Sequence, residues 1–82
     1  MTIKQITSAK KDYMDLLLLA DEQEDMIDKY LENGDMFVLE DNGVKAECVV
    51  TSEGEGVYEL KNIAVQPGCQ RKGYGKRLIE FL

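Results

Sequence analysis

The period of the apolar residues changes twice along this chain, and no other feature limits the fold as much. From Ala9 to Leu31 they recur at helical spacing, from Met36 to Val65 they alternate or form short blocks, and from Gly75 to Leu82 the helical spacing returns. Strands that follow one another without intervening helices pair by hairpins, so the flanking helices must lie on a mostly antiparallel sheet. The 82 residues supply one domain, residues 1–82, and not two. The expected order is β-α-α-β-β-β-α, an α+β arrangement.

Local chemistry places the elements. Residues 2–6 (TIKQI) alternate as a short edge strand, and Thr7 or Ser8 can cap a helix whose apolar stripe is Ala9, Tyr13, Leu16, Leu17 and Ala20. Asp21 with Glu24 is a capping arrangement for a second helix, with Met26, Ile27, Tyr30 and Leu31 as its stripe and Asn33-Gly34 as its stop. Asp41-Asn42-Gly43 then supplies the positive-φ residues of a tight hairpin between the run Met36 to Leu39 and a strand presenting Val44, Ala46, Cys48 and Val50 on one face. Residues 52–56 read as a second turn. Residues 57–65 form a third antiparallel strand, ended by Pro67-Gly68.

Charge and composition exclude several functions. No histidine is present, which removes every mechanism with a histidine base or ligand, and Cys48 and Cys69 lack metal-ligand spacing, so no metal is expected. Both are expected as reduced thiols. The net charge of -6 divides into -10 over residues 1–60 and +4 over residues 61–82, where Lys61, Arg71, Lys72, Lys76 and Arg77 face only Glu80. An acidic body repels nucleic acid and anionic membrane, whereas the local basic cluster suits a compact anion. The longest apolar run, Leu16 to Ala20, is far too short to cross a bilayer, and Met1 to Lys4 has no signal-peptide character, so a cytoplasmic location is expected.

The sharpest chemical signal lies between the third strand and the last helix. Residues 65–77 read VQPGCQRKGYGKR. The first amides of a helix have no internal partner and carry the positive end of its dipole, so a glycine-preceded helix start flanked by Arg71 and Lys72 can hold a phosphate. Gly73 and Gly75 leave room for a bulky anion. A Walker loop is excluded because Tyr74 stands where its lysine belongs, and the dinucleotide fingerprint because Leu78 replaces its third glycine. An RNA-recognition octamer would continue with strand aromatics, but here Lys76-Arg77-Leu78-Ile79 enters a helix.

The stretch Gln70-Arg71-Lys72-Gly73-Tyr74-Gly75 fits Q/R-x-x-G-x-G/A and follows the strand residues ELKNIAV, 59–65. In this order, after β-α-α-β-β, it resembles the acyl-CoA-binding motif of the GNAT superfamily of N-acetyltransferases. The resemblance implies acetyl-CoA as cosubstrate, its pantetheine against the backbone of Ile63 and Val65, and its pyrophosphate on the loop from Gln70 through Arg71, Lys72, Gly73, Tyr74 and Gly75. It also implies Glu59 as general base and the Val65 amide as oxyanion donor, with a small-molecule or protein amine as acceptor. Taken alone, Glu59 reads equally as a solvated strand glutamate. Strict alternation puts it on the face of Lys61, Ile63 and Val65 unless a bulge intervenes.

The resemblance covers the front part of that family's fold. It leads us to expect an unpaired edge at strand 57–65 and a last helix with few neighbours to cover Phe81 and Leu82. A fragment, an early end to the gene, or a homodimer completing the sheet would each account for this. A non-catalytic acyl-CoA-binding or assembly module is the alternative to an acetyltransferase.

Overall fold

A computed structural model describes all residues, 1–82. Strand β1 (Thr2–Ile6) is followed by a single 3-10 turn (Lys10–Tyr13) running into helix α1 (Met14–Ala20), then α2 (Glu24–Leu31), β2 (Asp35–Glu40), β3 (Val44–Gly54), β4 (Val57–Val65) and α3 (Tyr74–Phe81). The four strands form one antiparallel sheet in the order β1-β2-β3-β4. The expected element order is observed.

Strand alternation divides the core into two layers. Met36, Val38 and Val49 turn toward Leu17 of α1 and Ile27 and Leu31 of α2, and all six are buried. Leu39, Ala46 and Cys48 turn the other way, onto Tyr74 and Leu78 of α3. Each fully buried leucine here is worth about 2–5 kcal/mol against alanine.

Helix boundaries depart from expectation because neither helix start is closed by the side chain expected to cap it. Ala9 enters the first turn in the left-handed region at φ 53 with no side-chain cap, so neither Thr7 nor Ser8 performs that role. The second helix starts from Gln23, and Asp21 accepts from the Gln23 amide at 3.3 Å and from the Tyr30 hydroxyl at 3.4 Å, without a capping box. Its end is held from outside. The Lys10 ammonium donates to the carbonyls of Leu31 (2.9 Å), Glu32 (3.2 Å) and Gly34 (2.7 Å), the charge-assisted arrangement that a helix C-terminus favours.

Three register shifts interrupt the pairing, at Leu39/Glu40, Val49/Val50 and Ser52/Gly54. Glu40 pairs with Val44 while Leu39 pairs with Ala46, so Val44 joins the α1/α2 side and not the face of Ala46 and Cys48. Strand β3 also runs to Gly54, further than its sequence indicates, and the turn narrows to Glu55 and Gly56 at φ 50 and 80. The second shift, between Val49 and Val50, is central to the site.

Candidate functional site

Strand β4 is the edge of the sheet, and its alternation decides which main-chain groups are open. The Gln66 amide donates to the Lys45 carbonyl at 2.8 Å, which fixes Gln66, and by alternation Ala64, as bonded toward β3. The amides and carbonyls of Ile63 and Val65 therefore point outward, away from β3. Beside them lies a cleft of about 360 Å³ lined by Leu19, Ile63, Ala64, Val65, Gln70 and Gly75. Edge strand and helix start share one opening.

The loop that reaches the helix start is shaped by left-handed residues. Gly68, Arg71 and Gly73 have φ of 83, 68 and 81. Gly73 is the residue preceding α3, with no side-chain cap; its own carbonyl accepts from Arg77 at 3.0 Å, which leaves the first-turn amides without an intrahelical partner. Open space surrounds Gly73, so backbone conformation and not room requires glycine there. A methyl group on Gly75 would lie 3.6 Å from Val65 Cγ2, an ordinary contact. Arg71 and Lys72 are exposed and make no ion pair, so their charge is available at the uncapped amides.

Tyr74 differs from the other loop residues. Its ring is buried in the α3 layer and its hydroxyl donates to Asp41 Oδ2 at 2.7 Å, a bond that raises the phenol above its usual range. The main chain of Tyr74 belongs to the helix start, while its side chain ties that start to the β2–β3 turn.

Glu59 is moved by the bulge. Val49 pairs with Asn62 and Val50 with Leu60, which leaves Lys61 as the extra residue. Leu60 and Tyr58 accordingly join Phe37, Val50 and Phe81 around an apolar groove on the α3 side, and the exposed Phe81 ring meets Phe37 edge-on at 5.3 Å. Lys61 lies instead in a cleft of about 420 Å³ on the α2 side, with Met26, Lys29, Tyr30, Asn33, Thr51 and Glu53. Glu59 goes with it: its Oε2 is 3.1 Å from Lys61 Nζ. The chain thus brings Ile63, Val65, Gln70 and Gly75 together and places Glu59 on the opposite face of the same strand.

Sequence reasoning missed two residues on that opposite face. Glu47 is fully buried with neither carboxylate oxygen bonded, and burial pushes it up to about 8. Asn62 is also buried, donating from Nδ2 to the Leu17 carbonyl and the Tyr30 hydroxyl, both at 3.0 Å, while its Oδ1 has no partner. Strand alternation offered no signal for Glu47, which falls between Ala46 and Cys48 on the face opposite the apolar stripe. Cys48 faces the other layer, and burial pushes its thiol up to about 12, which leaves it inert at neutral pH. No group of three or more potential metal ligands is assembled, and no helix is long and apolar enough to cross a membrane.

The same arrangement recurs in known proteins. Residues 32–82 match a family model described as an acetyltransferase (GNAT) domain. Over 66 residues the chain is 38% identical to the uncharacterized N-acetyltransferase YvbK of Bacillus subtilis (strain 168), covering 79% of this chain and 43% of that protein. A GNAT family acetyltransferase from Elizabethkingia anophelis, crystallised with acetyl-CoA, superposes with a TM-score of 0.89 at 33% identity over 98% of this chain and 53% of its own. An acetyltransferase of Bacillus subtilis in complex with CoA gives 0.82 at 33% identity, over 94% and 51%. The chain spans about half the length of these relatives.

Proposed function

Since this chain belongs to the GNAT acetyltransferase family, we propose that it binds acetyl-CoA along the β4 edge and donates the acetyl group to an amine. The observation that carries this reading is the shared opening: outward main-chain groups of Ile63 and Val65 and the uncapped amides of α3 border one cleft. An extended amide-bearing arm can add to the strand edge as another strand would, while a pyrophosphate meets the amides of residues 71–75 and the charges of Arg71 and Lys72. Gln70 lines the same cleft. Relatives crystallised with acetyl-CoA and CoA support the assignment.

Acetyl-CoA supplies the activated acetyl thioester. The neutral amine nitrogen bonds to the acetyl carbon to give a tetrahedral oxyanion, whose collapse breaks the carbon–sulfur bond; the nitrogen sheds one proton and the leaving thiolate takes one up, which balances the step. In this reading the Val65 amide donates to the acetyl oxygen as negative charge gathers on it. Glu59 accepts the proton that the acceptor ammonium must lose. The bulge at Lys61 turns Glu59 to the sheet face opposite Ile63 and Val65, where it pairs with Lys61, so the acceptor, a small-molecule or protein amine, approaches from that face.

Coenzyme binding and transfer are tested separately. Titration calorimetry with acetyl-CoA is expected to show saturable heat, and thiol release with a panel of amines is expected to fall in Glu59→Gln. No heat at millimolar acetyl-CoA sinks the proposal. Binding without release, unchanged in Glu59→Gln, identifies a non-catalytic coenzyme-binding or assembly module, and size-exclusion chromatography then tells whether two copies complete the sheet.

A further inference from the structure

Three buried acceptor oxygens on one sheet face have no donor: Oε1 and Oε2 of Glu47 and Oδ1 of Asn62. Leaving a buried polar group unbonded is unfavourable, and more so for a charge, so the three are best explained together. The Asn62 amide cannot be turned to relieve its share. The Leu17 carbonyl can only accept, so the atom 3.0 Å from it must be Nδ2, and Oδ1 remains the group in need.

Glu47 is placed to answer that need. It pairs with Ala64 across β3 and β4, and Asn62 stands two residues before Ala64 on the same face, a diagonal neighbour within reach of a long side chain. A carboxylate can only accept, but a carboxylic acid donates through its hydroxyl. We propose that Glu47 stands as the neutral acid, donates to Asn62 Oδ1, and so fixes the bulged segment of β4 whose neighbouring residues Ile63 and Val65 present the outward main chain. Glu47 is a positioning residue in this scheme, acting through Asn62. The chain of bonds continues from Asn62 to the Tyr30 hydroxyl and on to Asp21.

The surroundings favour the neutral form. Val38 flanks Glu47 on β2 and Ala64 on β4, and the helices over this face present Leu17, Ile27 and Leu31. The titratable or charged groups of this side are Tyr13 beside α1, Tyr30 with Asp21 by α2, Lys4 of β1, which is taken by Glu40, Lys61 of β4, which is taken by Glu59, and Lys45, which makes no ion pair. No cation offsets a charge on Glu47, and burial holds its proton to about pH 8.

Infrared titration of the 82-residue chain tests the proton, and NMR of the Asn62 side-chain amide tests its partner. A protonated carboxyl band is expected to persist at neutral pH, to vanish in Glu47→Gln, and to disappear with alkali in step with a shift of the Asn62 amide signals. The Gln variant keeps a donor at every pH and is expected to hold those signals constant. An ionised Glu47 at about pH 6, or Asn62 signals indifferent to its titration, overturns the pair. The third readout rests on the function proposed above: acetyl-CoA affinity should weaken about tenfold through the transition, the worth of one lost hydrogen bond, in the native chain and not in Glu47→Gln. Glu47→Met, which fills the space without a donor, should show the weaker affinity throughout. Affinity that follows pH equally in native chain and Gln variant overturns the positioning role, whereas no coenzyme binding at all strikes the function and leaves the infrared and NMR results to decide the pair.

Discussion

Gly34→Ala tests how closely α2 is set against the sheet. Gly34 is buried between the end of that helix and β3, and a Cβ there would stand 2.7 Å from the Tyr30 carbonyl oxygen, 2.8 Å from Val49 Cγ1 and 3.2 Å from the Val50 carbonyl oxygen. The backbone is not left-handed at this position, so the conflict is one of space. Retreat is obstructed: Gly34 donates to the Tyr30 oxygen at 2.9 Å, and its own carbonyl accepts from Lys10 at 2.7 Å. Overpacking costs about 1–3 kcal/mol and a disturbed hydrogen bond about 1 more, so the loss should be about 3 kcal/mol. In urea this lowers the midpoint by on the order of 2 M at unchanged slope. The control is Gly43→Ala, where φ is +100 and nothing lies within 4 Å, leaving only backbone strain of about 1–2 kcal/mol. The reasoning fails if Gly34→Ala costs no more than Gly43→Ala.

Lys10→Met removes the cation that closes α2 and should cost about 2 kcal/mol by urea unfolding, with raised exchange of amides at that helix end. Gly75→Ala should leave stability and acetyl-CoA affinity within about 0.5 kcal/mol of the native chain by thermal and calorimetric titration. Gly73→Val, forced into a left-handed conformation, should weaken coenzyme binding far more. Stability should also fall with rising pH on account of Glu47. Its folded pKa of about 8 exceeds the ordinary 4.5, so between those values the native chain keeps a proton that the unfolded chain has lost. The decline across that window is on the order of 5 kcal/mol, and unfolding curves of Glu47→Gln from about pH 5 to pH 9 should lack it.

Whatever depends on neighbours in sequence was legible in the residues alone. The β2–β3 turn is one case, since Asn42 and Gly43 carry their left-handed preference locally and adopt φ of 57 and 100. The uncapped helix start after Gly73 is another. What escaped depends on partners distant in the chain. Gly34 reads as a left-handed helix stop, yet the helix is closed by Lys10, and glycine is needed because Val49 lies against it. The face of Glu59 turns on the extra residue at Lys61, which only the pairing of β3 with β4 creates. Glu47 reads as an outward residue of its strand, but α1 and α2 cover that sheet face and bury it.

The bond from Tyr74 to Asp41 carries a consequence for how variation in this chain will read out. Asp41 lies in a hairpin turn and borders none of the three clefts, yet it holds the residue whose amide opens α3, the helix proposed to receive the pyrophosphate. A saturation scan scored on coenzyme affinity should therefore return a hit in a turn that touches nothing bound. Tyr74→Phe should share its phenotype, and adding Asp41→Ala to Tyr74→Phe should bring little further loss, because both changes cut one tether.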